Sequence, residues 1–115
     1  MPTTMLVATE AYDGWFQTLS AAEQAAVFNV VAKLRALGFE LSGEHCSALE
    51  GTDLPLRELR PKRGKSPLRV VYAFDPARQA VLLIGGDKSG DAKFYRRLIP
   101  IAERIWREYL ALSTR

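Results

Sequence analysis

A chain of 115 residues, 48% hydrophobic and 25% charged, is long enough for one cored domain and too apolar to be disordered throughout. Its single cysteine, Cys46, excludes an intramolecular disulfide, and its single histidine, His45, leaves no zinc-binding spacing. The net charge of +3 is uneven: Met1–Leu56 carries two basic residues against seven acids, Arg57–Arg115 fourteen against six, so an anionic partner is expected on the second half.

Thr4–Glu10 reads as a short apolar strand, with no basic start or long apolar core of a signal peptide in Met1–Ala8. No run approaches the about 20 apolar residues that span a bilayer, so no membrane contact and a reducing, cytoplasmic location are expected. Tyr12, Trp15, Phe16 and Leu19 recur at helical spacing. Ser20 and Glu23 then form a capping box before a helix that carries Val27, Val30, Val31, Leu34 and Leu37 on one face and stops at Gly38. Phe39–Pro55 is irregular, with Leu41, Leu49 and Leu54 directed at the core. His45 and Cys46 are neighbours on this loop, and adjacent side chains diverge, which argues against a Cys nucleophile.

Leu56–Arg60 reads as a strand and Pro61–Pro67 as a basic loop. Leu68–Asp75 is apolar on both alternating sets, which predicts a central, doubly covered strand. Asp75–Arg78 carries turn chemistry, and Gln79–Gly85 returns as the second strand of a hairpin that Gly85-Gly86 ends. Asp91 is placed to cap the last helical region. There Phe94, Tyr95, Leu98, Ile101, Ala102, Ile105, Tyr109 and Leu112 trace an apolar stripe, with Glu103 and Arg107 paired on the exposed side. Pro100 lacks an N–H, so a break is expected just before it, with Pro100 in the first turn of the longer piece. No repeat or linker divides the chain, and residues 1–115 are expected to form a single domain.

The stretch Leu56–Lys88 organises the rest. Arg57–Arg69 holds six basic residues against one acid, Glu58, laid on an apolar hairpin, and a cationic platform of that kind suits a polyanion. Four blocks lie along the second half: L-x-E-L-R (Leu56–Arg60), L-R-V-x-Y-A-F (Leu68–Phe74), V-L-L-x-G-G-D-K (Val81–Lys88) and F-Y-x-x-x-I-P-x-A (Phe94–Ala102). In that order the chain resembles the RelE/ParE superfamily of bacterial toxins, and more closely its HigB-type, phage-derived branch.

The resemblance implies an α+β, RelE-like fold, with an N-terminal strand and helical hairpin packed on a small antiparallel sheet and a C-terminal helix. It implies a type II toxin silenced by a cognate antitoxin, often a helix-turn-helix protein encoded beside it. RelE and HigB members enter the ribosomal A site and cut messenger RNA, with no metal or cofactor required. ParE members instead inhibit DNA gyrase, and that non-enzymatic activity, or a decayed nucleic-acid-binding relative, is the alternative.

Cutting RNA by driving a 2′-hydroxyl onto its own phosphate requires proton transfer and cations around the phosphoryl oxygens. Arg60 and Arg69 sit at strand ends beside the basic loop, where a guanidinium can hold two phosphate oxygens. The alternative for each is a structural ion pair with Glu58 or Asp75, and the phosphate role is favoured for Arg69. Lys88 follows the Gly-Gly turn, where relatives commonly place a basic residue. Tyr95 is the proton-transfer candidate carried over from the family's C-terminal aromatic, unless it belongs to the core stripe, and neighbouring cations would have to lower its pKa for it to act as a base. Arg57, Lys62, Arg63 and Lys65 are expected to bind RNA or the ribosome. Several relatives use histidines near this site; here His45 lies well upstream.

Overall fold

The computed structural model describes residues 3–113. A five-stranded sheet runs in the order β1-β5-β4-β3-β2, from β1 Leu6–Ala8, β2 Cys46–Ala48, β3 Arg57–Leu59, β4 Leu68–Phe74 and β5 Ala80–Asp87. Helices α1 (Glu10–Gln17) and α2 (Ala21–Leu37) cover one face and α3 (Phe94–Ser113) the other. Among the described residues no helix is long and apolar enough to cross a membrane.

The strand alternation sorts the core into two clusters. Leu68, Val70 and Tyr72 of β4 meet Val27, Val30 and Leu34 of α2. Val71 and Ala73 meet Leu98, Ala102 and Trp106 of α3. Burial on both faces is what puts β4 in the middle. Val71 pairs with Ile84 and Tyr72 with Leu82, so Leu83 is an extra residue and β5 bulges there. Past the bulge, Gly85 faces Trp15 of α1 and Gly86 faces Phe94 of α3. The glycines therefore continue β5 rather than ending it, because a side chain at either position would displace a helix.

The sheet is mixed, not antiparallel, since β1 runs parallel to β5 while the other neighbours are antiparallel. Leu6 packs into one core cluster and Val7 into the other, so the first strand joins the sheet instead of lying upon it. Thr9 ends that strand and caps α1, accepting the N–H of Tyr12 and donating to the carbonyls of Leu82 and Leu83. The Ser20–Glu23 capping box is complete, and Gly38 ends α2 with φ of +54°.

Pro100 does not break α3, which is one helix of 20 residues. The buried stripe Phe94, Leu98, Ile99, Ala102 and Trp106 spans the proline on both sides. Packing that stripe along one sheet outweighs the lost hydrogen bond to the Arg96 carbonyl. Nor does Glu103 pair with Arg107: it accepts the hydroxyl of Thr52 at 2.5 Å, and the exposed i,i+4 pair on this helix is Arg104–Glu108 at 3.9 Å.

Candidate active site

Alternation on three strands and one helical turn builds the site. Glu58 is the middle residue of β3, and Ser47 lies directly opposite on β2, on the same face. Arg60, two residues after Glu58, returns to that face. Arg69 reaches it from β4, on the side of Val71 and Ala73. Tyr95 and Arg96 come down from the first turn of α3. Ser47, Glu58, Arg60, Tyr95, Arg96 and Glu103 then share a cleft of about 960 Å³ with the loop at Leu49–Gly51 and with Ile99 and Pro100.

Glu58 is 6% exposed and Arg69 4%. The Glu58 carboxylate accepts from Arg60 Nε at 3.3 Å, and Arg69 Nε stands 3.7 Å from the same oxygen. Arg60 Nη2 also donates to Ser47 Oγ, fixing the guanidinium across the two strands. Arg69 Nη1 donates to the carbonyls of Ser66 and Leu68, each at 2.7 Å. Among the described residues Glu58 Oε2 and Arg69 Nε remain buried without a hydrogen-bond partner. A buried pair recovers its desolvation only when its geometry is complete. Here it is not, so the fold holds a carboxylate at the cleft floor at some expense to stability.

Tyr95 lies within reach of both charges. Burial first, and then the Glu58 carboxylate, push its phenol pKa up, while Arg69 pulls the other way and loses. The condition for Tyr95 to act as a base, a pKa lowered by nearby cations, is not met, because burial and Glu58 together outweigh Arg69. Tyr95 is therefore a neutral hydroxyl at physiological pH, suited to donating a proton rather than taking one.

The other cations do not gather here. Arg69 is not among the cleft-lining residues and acts on the site only through Glu58. Lys88 is exposed beyond β5, with its backbone N–H on the Pro67 carbonyl, and does not line the cleft. Arg57 faces the opposite side of the sheet, donating from Nε to Tyr72 Oη at 3.2 Å and from Nη2 to Cys46 Sγ at 3.6 Å. Lys62, Arg63 and Lys65 line a separate groove of about 800 Å³ along α2, with His45 and Lys33. Alternation sends Arg57 and Glu58 to opposite faces, and the turn Pro61–Gly64, with Lys62 and Arg63 at φ of +54° and +56°, carries the basic loop to the α2 side. Glu58 and Ser47 are cleft residues that a search for cations overlooks, and Arg96 is a cation that falls at an unspecified position of the fourth block. The spacing of Glu58 two residues before Arg60 on a strand was the available signal.

This fold, with its cleft between α3 and the β2–β3 edge, is RelE-like. The structure resembles the isolated E. coli RelE toxin, at 12% identity and a TM-score of 0.60 over 85% of this chain and 98% of that one. It likewise resembles a chain of the RelBE2 toxin–antitoxin complex of Mycobacterium tuberculosis, at 16% identity and a TM-score of 0.59 over 76% and 93%. Residues 14–107 match the family described as phage derived protein Gp49-like (DUF891), and the chain belongs to that family. HigB3 of M. tuberculosis, which bears the name "putative toxin", is 37% identical over 84% of this chain and 85% of its own length. HigB2 of the same organism, which bears the same description, is 32% identical over 89% of this chain, which spans about half (52%) of that relative's length. The chain is thus a HigB/RelE-like toxin.

Proposed function

We propose that this toxin cuts messenger RNA on the ribosome and is held silent by a cognate antitoxin. The observation that carries the reading is the convergence of Glu58, Arg60 and a neutral Tyr95 on one cleft. In the proposed reaction the Glu58 carboxylate takes the proton of a ribose 2′-hydroxyl, whose oxygen forms a bond to the adjacent phosphorus. The bond from phosphorus to the 5′-oxygen breaks, and Tyr95 gives that oxygen its proton. The products are a 2′,3′-cyclic phosphate and a 5′-hydroxyl end. Arg60 and Arg96 hold the phosphoryl oxygens, and each such donor is worth about 10²–10³ in rate. Arg69 keeps Glu58 aimed.

The test is induced expression of wild type, Arg60→Ala and Tyr95→Phe, with translation measured and RNA 5′ ends mapped. Wild type should stop translation and leave new 5′-hydroxyl ends in translated messages, and both variants should lose them. Growth arrest with translation intact and cleaved DNA complexes accumulating would replace this reading with gyrase inhibition.

A further inference from the structure

The groove between α2 and the basic turn takes no part in the chemistry above, and its lining has two unlike parts. Its floor is small and apolar: Ala22, Ala25, Ala26 and Val30 of α2. Its rim is cationic, with Lys33, Lys62, Arg63 and Lys65. Glu44 stands 3.9 Å from Arg63, and both side chains are 69% exposed, so this pair neutralises little of the rim. On the same helix Phe28, 67% exposed, extends the apolar stripe beyond the groove. A solvated basic surface has no need of a methyl-lined floor or an exposed phenyl ring beside it.

We infer that this groove is the docking site for an acidic, amphipathic segment of the antitoxin, with apolar side chains on the Ala22–Ala25–Ala26 floor and carboxylates on the Lys33, Lys62, Arg63 and Lys65 rim. The identity of the partner rests on the toxin–antitoxin reading; the chemistry of the segment rests on the groove. Small side chains let a partner backbone approach α2 closely, and a ring of like charge selects an acidic partner and speeds its encounter. Single-stranded RNA fits less well. Such sites stack successive bases on aromatic platforms, and the one ring among the described residues lining this groove is the His45 imidazole.

The experiment uses the full chain with the product of the adjacent reading frame that restores growth on co-expression. Dissociation constants are measured for wild type, for K62E/R63E/K65E and for Ala25→Trp, against that antitoxin and against a mixed-sequence RNA oligonucleotide. Circular dichroism reports folding. The charge reversal should weaken antitoxin binding about 100-fold or more and flatten its salt dependence. Ala25→Trp, which fills the floor and leaves the charge alone, should weaken it about tenfold or more. Folded Ala25→Trp, which changes no charged residue, should still arrest growth and escape rescue. The inference is overturned if antitoxin binds both variants as it binds wild type, or if the charge reversal loses RNA while keeping the antitoxin. Failure of the toxin reading itself would show separately, as absence of arrest by wild type.

Discussion

Removing one member of the buried Glu58–Arg69 pair should cost more than removing both. Arg69→Ala leaves the Glu58 carboxylate, at 6% exposure, without its inner counter-ion, and it also strips the Ser66 and Leu68 carbonyls of a donor. Arg60 Nε still holds the carboxylate at 3.3 Å, so the loss should lie near the lower end, about 3 kcal/mol, of what an uncompensated buried charge costs. Against the roughly 5–15 kcal/mol that holds a domain of this size, that is a fifth or more. With an m-value of ~2 kcal/mol/M, the urea midpoint should fall by about 1.5 M. The double variant Glu58→Leu with Arg69→Met replaces the pair by apolar groups facing Val71 and Ala73, and should return to within about 1 kcal/mol of wild type or exceed it. RNA cleavage should be absent from the double variant, which has no carboxylate at position 58, and reduced in Arg69→Ala, where Arg60 alone aims it. Urea unfolding gives the first number and mapped 5′ ends the second. A double variant that still cuts RNA would show that the pair serves stability and not chemistry. An unchanged midpoint for Arg69→Ala would show that the charge is not buried in solution.

Tyr95→Phe should lower cleavage by about 10²–10⁴, the range for a lost general acid. Because the Tyr95 pKa is raised above 10, its contribution to stability is complete below pH 10 and is lost as pH climbs through the folded value, so Tyr95→Phe should flatten the unfolding profile above pH 10 and leave it unchanged at pH 7. Asp75 behaves oppositely. Burial pushes its pKa up, but hydrogen bonds from Tyr109 and Gln79 outweigh that and hold it below 3.8, so its contribution is present above 3.8 and lost as pH falls through the folded value. Asp75→Asn should therefore cost about 1.5–3 kcal/mol at pH 7 by denaturation, with the gap closing under acid. At Gly86 an added Cβ would stand 2.7 Å from Phe94 Cε1. Gly86→Ala should cost about 1–3 kcal/mol and, by shifting the start of α3 under Tyr95, reduce cleavage in the protein that remains folded.

The elements most legible in the sequence were those whose pattern and packing agree. Ser20 and Glu23 announce α2, Gly38 ends it, and the two apolar sets of Leu68–Asp75 place β4 at the centre. Where local chemistry and packing compete, the sequence reads wrongly. Pro100 carries a strong local signal against a helix, and the α3 stripe overrides it. Gly85 and Gly86 look like a terminus because their reason for being small, Trp15 and Phe94, lies on other elements. β2 is three residues inside an irregular segment, and only pairing with β3 makes it a strand. The site follows the same division. Arg60 and Tyr95 could be named from motif blocks, but Arg57, Lys62, Arg63 and Lys65 could not be separated from them, because clustering in sequence says nothing about which face of a sheet a residue takes. In the sequence Glu58 reads as an ion-pair partner for Arg60 or Arg69 and not as a reacting group. In space it is the group the two arginines surround.

The charge balance of the cleft bears on how RNA would reach it. Its lining holds two cations, Arg60 and Arg96, against three carboxylates, Glu50, Glu58 and Glu103. Such a lining offers a phosphate two directed donors and no attractive field at a distance. Two contacts on a single strand give a salt slope of only about −1.4 in log–log form, so free RNA would be held weakly and cut slowly. Under the proposed function, a nuclease built this way would depend on a substrate already fixed in place, as a message threaded through the ribosome would be, with the binding cost met before the strand enters the cleft. Cleavage of ribosome-bound message should then far exceed cleavage of the same RNA free in solution. Tight binding of naked RNA, with a slope matching five or six phosphate contacts (about −4), would mean that the Lys62–Lys65 rim and the cleft act on one strand together, and the separation of the two faces argued from their geometry would be wrong.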